Sequence, residues 1–132
     1  MFPMWGLTLV GLVSLNDPPR FKVDYSVQKC RSAGIKVIMV TGDQPTTAAA
    51  IAEKVNIITH PEEEYEKVKA RNPDWTEEEC LAISKAVVVH GDTLAAKHLS
   101  EENMDDRDPD KGMYLVNWIN VGEVVFARTT PS

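Results

Sequence analysis

The sequence predicts an α/β fold on a mostly parallel sheet. Three observations carry that expectation: four short apolar runs of strand length, helical spacing between them, and a composition ordinary for a single globular core. The chain has 132 residues, 43% hydrophobic and 26% charged, which suits one domain of modest size. Strands separated by helices imply βαβ crossovers, because parallel neighbours need long return connections.

The elements follow in order. Leu7 to Leu15 (LTLVGLVSL) is an apolar, β-branched run closed by the turn signal NDPP, as expected of a strand covered on both faces. From about Lys22 to Ala33 the residues Val23, Val27 and Cys30 fall at helical spacing, with Gly34 as the stop. Ile35 to Val40 (IKVIMV) is the second strand. TGDQP follows, placing Asp43 to cap an Ala-rich helix that has Pro45 in its first turn and runs to about Val55. Glu62 to Ala70 reads as a charged, solvated helix, and Thr76 with Glu79 has capping-box spacing ahead of a helix to about Ser84. Ala86 to Val89 (AVVV) is the third strand. A short helix Thr93 to Lys97, an acidic loop Asp105 to Gly112 and an amphipathic helix Tyr114 to Ile119 lead to the fourth strand, Glu123 to Ala127 (EVVFA).

Charge and cysteine usage exclude several classes. The formal charge is -6, whereas a nucleic-acid module normally presents a basic face. Residues 1–60 carry six Lys/Arg against four Asp/Glu and residues 61–132 eight against sixteen, so the excess acid lies in the second part. Cys30 and Cys80 form no CxxC and no His-paired metal spacing, which leaves reduced thiols as the expectation. Asp106, Asp108 and Asp110 have the alternate spacing of a calcium loop, but the glycine falls one place late and Asn117 stands where the bidentate Glu belongs. His60, His90 and His98 lack the partners of a zinc site. Residues 1–16 are uncharged. A signal peptide needs a basic n-region and a spanning helix about 20 apolar residues, while here Pro3 and Gly6 interrupt a run that ends at Asp17. No membrane insertion of this segment is expected.

In such a sheet ligands gather beyond the carboxyl ends of the strands. After the first strand stands Asp17-Pro18-Pro19-Arg20, a stiff corner presenting an acid and a base; a proline-rigidified turn is its plain reading. After the second stands Thr41-Gly42-Asp43. The Thr hydroxyl can bond a phosphoryl oxygen, the side-chain-free Gly lets backbone N–H groups approach it, and the helix N-terminus that follows favours anions. Asp43 would repel a phosphate, so any functional role lies in contact with a hydroxyl such as a ribose, or with a cation. A structural cap and a phosphate site both account for TGD. After the fourth strand stands Arg128, an always-charged donor fork whose plain reading is a surface Arg.

In order and wording these strand-end motifs resemble a known family. Residues 9–58, reading LVGLVSLNDPPRFKVDYSVQKCRSAGIKVIMVTGDQPTTAAAIAEKVNII, look like part of the phosphorylation domain of P-type cation-transporting ATPases, and VVVHGDTL and VVFARTTP extend the match. KCRSAGIKVIMVTGD with VVHG and FARTTP is most similar to the α-subunits of sodium/potassium and proton/potassium pumps. The segments from about His60 to Lys85 and from Asp105 to Tyr114 match poorly, as variable surface would. Gln44 and Thr46 depart from the His and Ile usual in animal pumps.

The resemblance implies that residues 1–132 are a partial phosphorylation domain with a Rossmann-like, haloacid-dehalogenase-like fold, in a pump whose aspartate takes the γ-phosphoryl of MgATP. Carried over by position, Thr41 and Gly42 would hold the phosphoryl group, Asp43 and Arg128 would contact ATP, and Asp17 and Arg20 would form the hinge on the nucleotide side. The implied partners are the nucleotide-binding, actuator and transmembrane domains, with a β-subunit as a further candidate. The parent would lie in the plasma membrane, with this segment on the cytoplasmic side.

The DKTGT nucleophile, the GDGVNDSP motif with its Mg²⁺ acids and the actuator TGE are absent from the sequence, and it stops at Ser132, where the family continues to its catalytic Lys. The nearest DxD, Asp106 to Asp108, follows no apolar strand and lacks the Thr. The chain alone is therefore expected to be inactive, with Mg²⁺ ligands outside it. A stand-alone phosphatase of the same fold would need its own DxD nucleophile. The alternative of another class is a non-catalytic α/β nucleotide- or phosphate-binding module.

Overall fold

The computed structural model describes residues 5–15, 17–102, 104 and 112–129. In chain order the elements are α1 (Val23–Ser32), β1 (Ile38–Thr41), α2 (Pro45–Lys54), a 3-10 turn (Pro61–Glu63), α3 (Tyr65–Arg71), α4 (Glu77–Ile83), β2 (Ala86–His90), α5 (Gly91–Glu102), α6 (Met113–Asn120) and β3 (Glu123–Ala127). The strands form a three-stranded sheet in the order β1-β3-β2. Both pairings are parallel, with Thr41 and His90 each opposite Ala127. The small parallel sheet is compatible with an incomplete Rossmann-like domain.

Alternation along the strands divides the core into two layers. Val87, Val89, Val124 and Phe126 pack with Tyr65 and Val68 of α3, Cys80 and Leu81 of α4, and Trp118 of α6. Ala86, Val125 and Ala127 face the opposite way, onto Val27 of α1 and Ala48 and Ala52 of α2. The central strand is buried along its whole length. Val124 and Val125 are fully enclosed, each contributing about 1.5–3 kcal/mol of burial. At the sheet's outer side Val40 of β1 is 67% exposed, and β1 has no ladder partner on its second edge among the described residues.

Local signals place most of the helices. Gly34 follows α1 with φ of 73°, the left-handed stop that a Cβ would penalise. Thr76 and Glu79 form a complete capping box at the start of α4. Elsewhere the structure corrects the sequence reading. Leu7–Leu15 is not a strand: Leu7 is 74% and Val10 99% exposed, and none of the described residues pairs with it. Strand structure rests on hydrogen bonds and side chains across the ladder, so an apolar run without a neighbour stays unpaired. Asp43 does not cap α2. Gln44 holds that position, extended at φ -61° and ψ 146° as a residue before proline must be, and makes no side-chain cap bond.

The helix expected over Glu62–Ala70 breaks at Glu64, which is extended and bridges Ala86. Burial raises the Glu64 carboxyl above its usual range despite backbone donors including Lys67 and Val88. The helix after β2 is longer than expected, beginning at Gly91. Asp106, Asp108 and Asp110 lie outside the described residues, as does most of the acidic loop.

Candidate functional site

The carboxyl ends of β1 and β3 are laced together. The Arg128 N–H donates to the Asp43 carbonyl at 2.9 Å, and the Thr129 N–H to the Thr41 carbonyl at 3.2 Å. The Thr129 hydroxyl donates to that same Thr41 carbonyl at 3.2 Å. Thr41, Gly42, Asp43 and Arg128 therefore share one edge of the sheet, as their positions after apolar runs predict.

Within this edge the Thr41 hydroxyl oxygen accepts the Asp43 N–H at 3.1 Å, which leaves its proton available to donate outward. Gly42 and Asp43 are exposed. A Cβ on Gly42 would meet nothing nearer than the Thr129 carbonyl at 3.9 Å, so the backbone here is open on its outer side. The α2 N-terminus, with Pro45 in its first turn and no side-chain cap, leaves backbone N–H groups unpaired within the helix. Arg128 is exposed, and its backbone is left-handed at φ of 57°, a conformation that costs a non-glycine residue roughly 1 kcal/mol.

Asp17 and Arg20 are not joined to this edge. No hydrogen bond or ion pair links either side chain to Thr41, Asp43 or Arg128, and Arg20 instead lines a groove with Phe21, Asp24, Tyr25, Lys54 and Val55. Lys54 closes α2, and ten helical residues span about 15 Å, so this groove lies a helix length from Thr41. Without a strand ahead of α1 to seat it, the proline corner is not drawn to the sheet.

A second polar centre, unforeseen from the sequence, lies at the opposite end of β3. Glu123 is only 3% exposed. Its carboxylate accepts from Arg31 of α1 at 2.9 Å, the Thr59 N–H at 2.8 Å and the His60 N–H at 3.2 Å, with the Thr59 hydroxyl and the His60 ring also in contact. Burial pushes its pKa up, but the hydrogen bonds from Thr59, Arg31 and His60 outweigh that and hold it at about 2. The one sequence signal was an acid opening a buried apolar strand. This cluster ties α1, the segment after α2 and β3 together, which gives His60 a structural role. His90 is likewise engaged locally, accepting the Asp92 N–H at 3.1 Å.

Among the described residues no group of three or more His, Cys, Asp or Glu is placed to hold a metal ion. Nor is any helix there long and apolar enough to cross a membrane.

No family model matches the chain. Curated relatives do, over nearly its whole length. It is 48% identical over 130 residues to the sodium/potassium-transporting ATPase subunit alpha of Tetronarce californica, 46% to subunit alpha-4 of Homo sapiens and 45% to subunit alpha-A of Artemia franciscana. Each match covers 98% of this chain and 12% of the relative's length. Identity at this level over nearly the whole chain makes it a homologue of one segment of the sodium/potassium-transporting ATPase α-subunit, as fits a fragment of a P-type ATPase.

Proposed function

We propose that the chain forms part of the ATP- and phosphoryl-binding wall of an ATP-driven cation pump, within a haloacid-dehalogenase-like phosphorylation domain that makes an aspartyl phosphate. The observation that carries this reading is the lacing of β1 to β3. It holds a hydroxyl with a proton to donate, an open glycine backbone, an uncapped helix N-terminus and an Arg on one sheet edge.

These residues fit a nucleotide phosphate. Thr41 donates its hydroxyl to a phosphoryl oxygen, and the backbone at Gly42 with the α2 N-terminus favours the anion. Arg128 supplies a charged donor to the nucleotide. Asp43, an acid beside that anion, takes a ribose hydroxyl rather than a phosphate oxygen. Mg²⁺, when bound in the intact pump, would neutralise charge on the transferring phosphoryl; its ligands would be the acids of the GDGVNDSP motif, which this sequence does not contain. Asp17 and Arg20 act as a hinge toward a nucleotide-binding domain. The parent is a membrane protein whose nucleotide-binding, actuator and transmembrane domains complete the machine, with this segment on its cytoplasmic side.

Rapid-quench phosphorylation of the full-length pump tests the assignment. A donor used chiefly as charge develops affects the chemical step more than binding, so Thr41→Ala should slow phosphoenzyme formation at saturating MgATP by about 10²-fold. An unchanged rate removes Thr41 from the phosphoryl site.

A further inference from the structure

The proposed site takes its residues from the ends of β1 and β3 and none from β2. Yet the corner after β2 makes the tightest approach to it. β2 ends at His90, opposite Ala127, and Gly91 follows as the first residue of α5. A Cβ built on Gly91 would lie 2.3 Å from the Arg128 carbonyl oxygen, 2.8 Å from its carbonyl carbon and 3.3 Å from the Thr129 nitrogen. All three atoms are backbone, which cannot swing aside as a flexible side chain would. Gly91 is not among the positive-φ glycines, so space alone demands glycine here. Gly42, the glycine its motif singles out, has no such crowding.

The Arg128–Thr129 peptide is thus wedged from two sides. On one, hydrogen bonds to the Asp43 and Thr41 carbonyls hold it against the end of β1. On the other, it rests against the bare Cα of Gly91. Between them Arg128 keeps its left-handed backbone, which persists only where the surroundings over-determine it.

We infer that Gly91 is a positioning residue for Arg128: its missing side chain lets the Arg128–Thr129 peptide seat against β1, and that seat aims the Arg128 guanidinium at the ligand shared with Thr41 and Asp43. The inference rests on the nucleotide role proposed for Arg128. A methyl group on Gly91 would drive the Arg128 carbonyl outward by about 1 Å to restore ordinary contact, a misplacement of the size that costs aligned sites up to 10²-fold.

The test uses the full-length pump with Gly91→Ala, Arg128→Ala, the double variant and Gly122→Ala. Gly122 is a control glycine, since its Cβ would stand 3.4 Å from the Lys85 carbonyl at the opposite sheet end. Two quantities are read: the MgATP concentration giving half-maximal phosphoenzyme, and phosphoenzyme formed from inorganic phosphate, which needs no nucleotide. Gly91→Ala should raise the MgATP requirement about tenfold, as expected for loss of a charge-assisted hydrogen bond. It should leave phosphorylation from inorganic phosphate near normal, and the double variant should need no more MgATP than Arg128→Ala. Gly122→Ala should change neither quantity. Parallel loss of both phosphorylation routes in Gly91→Ala, including failure of the variant to fold, overturns the inference, because it marks a merely structural glycine. Additive losses in the double variant, or an unaltered MgATP requirement in Gly91→Ala beside a deficient Arg128→Ala, also overturn it. An Arg128→Ala pump with normal nucleotide affinity instead overturns the underlying reading of Arg128.

Discussion

Replacing Glu123 with Gln keeps the shape of the side chain and removes its charge from the bonded cluster beneath β3. Each unit of pKa is worth about 1.4 kcal/mol. Holding the carboxyl at about 2 rather than 4.5 therefore stabilises the folded chain by about 3 kcal/mol at neutral pH. Because the folded value lies below the unfolded one, that contribution is complete above about pH 4.5 and is lost as the pH falls through about 2. Glu123→Gln should accordingly lower the stability of the 132-residue chain by about 3 kcal/mol at pH 7 and by almost nothing near pH 2. Paired urea titrations of the two proteins at pH 7, 4 and 2.5 measure the difference directly and cancel the titration of every other acid. A decrement that stays constant across those three pH values would refute the electrostatic account and leave only a packing defect. No decrement at pH 7 would show that the Arg31, Thr59 and His60 contacts contribute nothing net.

The remaining predictions concern the proposed nucleotide edge and the helices. Asp43→Ala in the full-length pump should weaken nucleotide affinity while sparing stability, since Gln44 holds the cap position of α2; matched thermal melts and nucleotide titrations separate the two effects. The 132-residue chain alone should release no phosphate from MgATP and form no acid-stable phosphoenzyme, and Mg²⁺-dependent turnover by a pure sample would contradict that. Thr76→Ala removes the capping box of α4 and should cost about 1 kcal/mol; an unaltered urea midpoint would mean that the box is redundant with the packing of Cys80 and Leu81.

Helices, their stops and two of the buried strands could be read from the chain because their causes are local. The stop at Gly34, the Thr76 and Glu79 box and the β-branched runs at β2 and β3 depend on residues within a few positions of one another. The approach of Thr41 to Arg128 is different in kind: a parallel sheet places the carboxyl ends of its strands along one edge, but that β1 and β3 are neighbours was decided by the tertiary structure. Sequence spacing could not decide whether Leu7–Leu15 would pair, because a strand needs a partner and its pattern is the same with or without one. It placed the cap of α2 one residue early, where Pro45 and its extended neighbour Gln44 set the true boundary. The anchoring of Glu123 joins residues up to 92 positions apart, and the crowding of Gly91 against Arg128 likewise appears only after β2 and β3 lie side by side. Burial, hydrogen-bond satisfaction and close backbone approach belong to the assembled layers, where distances in space no longer follow distances along the chain.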